Sequence, residues 1–144
     1  MSAETGAKWV LRFITLTTVP AFVAAVMPQR WLVFGLNWVE PGSSPGLFGS
    51  YLIRCLMSVY AFMGIQAAIW STDVRRYHPL ILNLCVCVLI AVPLALLALF
   101  IAVPPAAYNS AFWIVLIDLT EGFAQMGLLA ILVRRVPDQA SVSG

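Results

Sequence analysis

Apolar residues in this chain gather into four long runs, and the breaks between them are short and polar. The runs cover residues 8–27, 47–70, 79–103 and 111–133, to within a few positions. Each approaches the roughly 20 residues a helix needs to cross ~30 Å of hydrocarbon. The pattern predicts an all-α fold, a membrane four-helix bundle in which residues 1–144 form a single transmembrane domain. Pro20 and Pro93 fall inside the first and third runs, where a membrane helix accommodates proline with a kink.

The breaks differ in character. Residues 71–78, S-T-D-V-R-R-Y-H, make a short turn that contains Asp73, Arg75, Arg76 and Tyr77 and is closed by Pro79 at the start of the third helix. Asp73 is expected to pair with the adjacent arginines and to help cap a helix end. A second short turn covers residues 103–110. The first connection, residues 28–46, is longer and divided. Its first half places Trp31, Phe34 and Trp38 at helical spacing, which predicts a short interfacial helix in an external loop; its second half, E-P-G-S-S-P-G, is a turn-rich return.

Charge gives the bundle a direction. Lys8, Arg12, Arg75, Arg76, Arg134 and Arg135 all fall on one side of the spans, and Arg30 alone falls on the other. Basic residues collect on the cytoplasmic face, so both termini are expected to be cytoplasmic and the chain a multi-pass protein of a bacterial inner membrane. Lys8 and Arg12 ahead of Phe13–Met27 imitate a secretory signal; with three further spans behind it, this segment is read as an uncleaved helix.

Composition closes off other classes. With 62% hydrophobic and 10% charged residues and a mean hydropathy of +0.95, the chain falls far below the ~25% charged residues of a soluble domain. A net charge of +2 without a basic stripe argues against nucleic acid as a partner. Cys85 and Cys87 lie roughly 200° apart around a helix and cannot pair, and there is no C-x-x-C. His78 has no second ligand beside it, so no metal and no cofactor is expected. Nucleophile elbows, P-loops and zinc-protease motifs are absent from the sequence, which leans away from an enzyme.

The remaining chemistry lies within the spans. Arg54 interrupts the second run, and Asp118 and Glu121 interrupt the fourth. Arg54 follows Leu47 by seven residues and Asp118 follows Ala111 by seven, so both should lie roughly 10 Å below the same boundary. Asp118, Glu121, Gly122 and Gln125 share a face at i, i+3, i+4 and i+7. Across from them, Arg54 and Ser58 share a face of the second helix, with Tyr60 at another angle. An Arg54–Asp118–Glu121 network, a buried salt bridge joining the second and fourth helices, is the expectation. Gly64 and Ala68, and Ala91, Ala95, Ala98 and Ala102, are expected to let helices approach closely.

Three stretches carry a family likeness: M-P-Q-R-W at 27–31, Y-L-I-R-C-L-M-S-V-Y-A at 51–61 and S-T-D-V-R-R-Y-H-P-L at 71–80. With Glu121-Gly122 in the last span, they make the chain resemble a group of four-span bacterial membrane proteins near the BphX-like and DoxX-like small proteins. The resemblance implies a four-helix membrane bundle. DoxX-like proteins include subunits linked to quinone chemistry, but no motif here carries that chemistry over.

Three functions fit these residues. The leading expectation is an accessory or interaction subunit of a larger membrane complex, with the lipid bilayer, other membrane proteins or further copies of the chain as partners. The second is a membrane-embedded site for a lipid, a quinone or another amphipathic molecule, lined by Arg54, Asp118, Glu121 and Tyr60 beneath the Trp31–Trp38 segment. The third is proton-coupled transport by an oligomer, with Glu121 as carrier.

Overall fold

The computed structural model describes residues 2–42, 45–104 and 110–136, and every regular element in it is helical. The helices are α1 (Ala3–Thr18), α2 (Ala21–Val26), α3 (Gln29–Val39), α4 (Leu47–Trp70), α5 (His78–Ala102) and α6 (Ser110–Arg134). Four segments are long and apolar enough to cross a membrane: α1 with α2, then α4, α5 and α6. This is the composition of a four-helix membrane bundle.

The first span starts earlier than hydropathy alone predicts and does not stay continuous. Ser2 accepts the backbone N–H of Thr5 at 3.2 Å, and Glu4 and Lys8 pair at 2.8 Å one turn apart, so the helix is capped and supported from Ala3. Pro20 then breaks it. A proline offers no N–H to the carbonyl four residues back. Before the break, the hydroxyls of Thr15 and Thr18 donate back to Leu11 O and Ile14 O, which further loosens the last turns of α1. The chain resumes as the short α2, which ends at Met27. By contrast, Pro93 sits inside an α5 that remains continuous.

The expected helix in the first connection is present as α3. Trp31, Phe34 and Trp38 all lie on its exposed side, while Leu32 is buried. Its start is tied to α4, where Gln29 Nε2 donates to the Ser50 hydroxyl at 2.6 Å. Its end is tied by Asn37 Oδ1, which accepts the N–H of Gly42; Gly42 has φ +85°, a conformation open to glycine at little cost.

The helices pack unequally. α1 lies against both α4 and α6, α2 lies against α4, and α5 lies against α6. Among the described residues α4 and α5 do not pack substantially on each other, so the ring of four stays open along that seam. The contiguous core gathers at one end, from Ala7, Leu11 and Ile14 of α1, Ala67 of α4, Val74 of the turn, Ile81 and Cys85 of α5, and Leu129 and Val133 of α6. At that end Arg75 Nε reaches Glu4 Oε2 at 3.0 Å, and the His78 ring meets Val133 O at 3.1 Å. Arg75 thus pairs with Glu4, not with Asp73 as the turn suggested; Asp73 instead accepts the backbone N–H of Arg76, and Arg76 lies over the Tyr77 ring. Cys85 is buried and Cys87 exposed, in keeping with opposite sides of one helix.

One close contact holds α1 to α4. A side chain on Gly64 would fall on Thr18 Oγ1 and come within 2.9 Å of Val19 Cγ2, and Thr15 Oγ1 donates to Gly64 O at 3.2 Å. The alanines Ala91, Ala95, Ala98 and Ala102 do not play the corresponding role on α5. They are exposed, and among the described residues α5 packs substantially on α6 alone.

Candidate functional site

Arg54 does not join the carboxylates. Its Nη1 donates to Ala25 O at 2.8 Å and its Nη2 to Met27 O at 2.7 Å. Two features of the sequence, met in three dimensions, explain this. Met27 turns extended ahead of Pro28 and ends α2, so the last carbonyls of that short helix have no partner in their own helix. Those carbonyls also carry the negative end of the helix dipole, so a planar cationic fork suits them. Arg54 and Tyr60 lie six residues apart, roughly 120° around α4, and so address different neighbours. Arg54 faces α2; Tyr60 faces α6.

The buried Arg54–Asp118–Glu121 salt bridge is therefore replaced by separate arrangements. Among the described residues the ion pairs are Glu4–Lys8 and Glu4–Arg75, at the opposite end of the molecule from Arg54. Ser58, expected beside the acids, donates to the Arg54 carbonyl in its own helix.

Asp118 is reached from α4 by the Tyr60 hydroxyl, which donates to Oδ2 at 2.7 Å. Glu121 accepts from Gln125 Nε2 at 2.7 Å, as the shared helical face anticipated. Both carboxylates are exposed, not buried. The physical reason is that, among the described residues, α4 and α6 do not pack substantially on each other, so the α6 acids are left uncovered beside the Tyr60 contact. On translocon scales an acidic group near the middle of a span costs roughly 2.5–3.5 kcal/mol. One neutral donor for each carboxylate offsets only part of that.

Beside Glu121 lies an open groove of about 450 Å³, lined by Trp113, Leu116, Ile117, Thr120, Glu121 and Ala124. All six belong to α6, so the groove is an outward helix face that no other described segment covers. The described residues contain no group of three or more His, Cys, Asp or Glu side chains placed to hold a metal ion.

Family models, curated proteins and solved structures give no significant match to this chain. The geometry of α4 and α6 therefore carries the functional reading.

Among the contacts that escaped sequence reasoning, the Arg54 clasp depends on the helix end at Met27, and the readable sign for it was Pro28. The Glu4 tie to Arg75 depends on the first helix reaching back to Ala3, for which the Ser2 cap was the readable sign. The Tyr60–Asp118 bond is testable by Tyr60→Phe. Loss of one interhelical hydrogen bond in a membrane protein is expected to cost about 0.6 kcal/mol and at most ~1.7. Unfolding in mixed detergent micelles measures this; a larger loss would mean that Tyr60 does more than donate to Asp118.

Proposed function

We propose that this chain is an integral membrane protein that serves as an accessory, interacting subunit of a larger membrane complex. The observation that carries this reading is the exposed carboxylate pair of α6, set within a span where an unpartnered charge is costly. Support also comes from low burial: between 11% and 17% of the most apolar stretch of each span is covered by the rest of the chain. Extraction into polymer-bounded lipid discs at native expression level, followed by particle sizing, tests it. A particle containing a second polypeptide is expected, and a solitary monomer overturns the reading.

The setting belongs to the same proposal. Lys8, Arg12, Arg75, Arg76, Arg134 and Arg135 favour a cytoplasmic location for the end that carries the packed core, in a bacterial inner membrane. On that orientation α3 lies along the outer leaflet with Trp31, Phe34 and Trp38 in the headgroup region. A phosphatase reporter that is active only in the periplasm should be silent when fused after Gly144 and active when inserted at Gly42; the reverse pattern overturns the orientation. The D-V-R-R-Y-H-P-L turn and Glu121-Gly122 support kinship with the BphX-like and DoxX-like small membrane proteins.

A second reading is favoured by the Tyr60–Asp118 bond, which joins α4 to α6 at an exposed position within the spans. A hydroxyl and a carboxylate held together among apolar helix faces suit the polar head of an amphipathic molecule such as a lipid or quinone. Native mass spectrometry from discs should then retain a small molecule that Asp118→Asn loses.

A further inference from the structure

We infer that the outward groove of α6 is the docking face for a transmembrane helix that carries a lysine or arginine near its midpoint. The inference rests on the accessory-subunit reading and specifies its partner by chemistry.

Depth comes first. Glu121 follows Ala111 by ten residues, which puts it roughly 15 Å into a ~30 Å slab. On that register it sits near mid-span, away from bulk water and from most headgroups. Its described partner is the Gln125 amide, a neutral donor one turn along the same helix. A charge placed there calls for an opposite charge. Two cations lie well inside the spans: Arg54 is turned toward the Ala25 and Met27 carbonyls, and Arg12, nine residues after Ala3 on α1, makes no ion pair with Glu121 among the described residues.

Shape comes second. The groove runs from Trp113 to Ala124, roughly 16 Å along a single helix, and is open along its length. Leu116, Ile117 and Ala124 offer an apolar bed, and Glu121 sets the position of one polar contact. A long open furrow with one charge suits the ridge of another helix more than a compact molecule. A basic residue in a partner helix would meet Glu121 directly and neutralise it.

The test uses the full chain in phosphatidylcholine vesicles with a synthetic transmembrane peptide of about 20 leucine and alanine residues. One version of the peptide carries a central lysine; controls carry leucine or glutamate there. Energy transfer between labels reports association. The lysine peptide should bind about tenfold more tightly than the leucine peptide, and the glutamate peptide no better than the leucine one. Glu121→Gln should erase that preference, and Asp118→Asn should leave it within about twofold of the original. Ile117→Trp fills the groove from an exposed position and keeps the carboxylate; it should weaken both the lysine and leucine peptides. Equal binding of the lysine and leucine peptides overturns the inference, as does an undiminished preference in Glu121→Gln. So does loss of the preference when phosphatidylethanolamine is added, which would identify a lipid amine as the occupant. In native membranes, a complex that survives Glu121→Gln overturns this inference alone, whereas a solitary particle overturns the accessory-subunit reading whatever the peptides do.

Discussion

Replacing Gly64 with leucine should separate α1 from α4 and cost about 3 kcal/mol or more. The added Cβ has nowhere to go: it would fall on Thr18 Oγ1 and within 3.0 Å of the Val19 backbone nitrogen. Backbone cannot step aside as a flexible side-chain tip can, so the helices must move apart. Overpacking in a filled interior costs typically 1–3 kcal/mol, and a branched four-carbon side chain belongs at or beyond the top of that range. Separation also stretches the Thr15 Oγ1 to Gly64 O bond, which starts at 3.2 Å. Gly64→Ala should follow the same direction at about 1–2 kcal/mol. Unfolding in mixed micelles gives both values, and a leucine variant as stable as the parent would show that the contact is not tight. Gly122 is the matched control, because nothing lies within 4 Å of its added Cβ; Gly122→Ala should not destabilise, and the helix propensity of alanine should raise stability by up to about 1 kcal/mol.

Replacing Arg54 with alanine should release the end of α2 and cost about 1–3 kcal/mol overall. Two effects oppose each other. Each hydrogen bond from a charged donor contributes roughly 1.5–3 kcal/mol, and Arg54 makes two, to Ala25 O and Met27 O. Against that, removing an arginine from a span relieves an insertion cost of roughly 2.5–3.5 kcal/mol at the centre, and less nearer the boundary. Arg54 lies about 10 Å below the boundary, so the lost bonds win by a modest margin. Lysine is a sharper probe. Arg54→Lys keeps the charge but has no planar fork, so it should recover about half of the loss. Hydrogen exchange should rise at Val23–Met27 in the alanine variant and stay unchanged at Leu129–Val133, in the distant core. Uniform exchange along the chain would mean that Arg54 supports the whole fold and not the α2 junction.

The two variants also discriminate between the pairing expected from depth and the one observed. Had Arg54 bridged Asp118 and Glu121, its removal would have loosened α6. The structure instead directs the effect to α2. Depth along a span is a single coordinate, and it places Arg54 and Asp118 at the same level. Which way Arg54 turns depends on azimuth and on which helix stands beside it. The neighbour is α2, which packs on α4, and its two carbonyls are free because Met27, held extended ahead of Pro28, ends the helix.

Other features were readable one helix at a time. Glu121 and Gln125 are one turn apart, and a bond between them needs nothing beyond helical geometry. Trp31, Phe34 and Trp38 share an exposed face of α3 for the same reason. The alanines of α5 are the counter-example. Their spacing permits close packing, but permission is not contact; among the described residues α4 does not pack substantially on α5, and they stay exposed.

Hydropathy and helical period by themselves determined that this is an all-helical chain with four membrane-length spans, where its turns lie, and that two acids and a glutamine share one helix face. Those properties are local: they follow from backbone hydrogen bonds that must close within each apolar run, and from side chains that recur every 3.6 residues. The tertiary structure alone decided that Arg54 clasps α2, that Tyr60 is the group that meets Asp118, and that Glu121 looks outward from the bundle. Those outcomes depend on how helices are rotated and which ones touch. In lipid, no difference in solvation forces one apolar face inward over another, so a few small residues, one proline and a handful of hydrogen bonds select the arrangement.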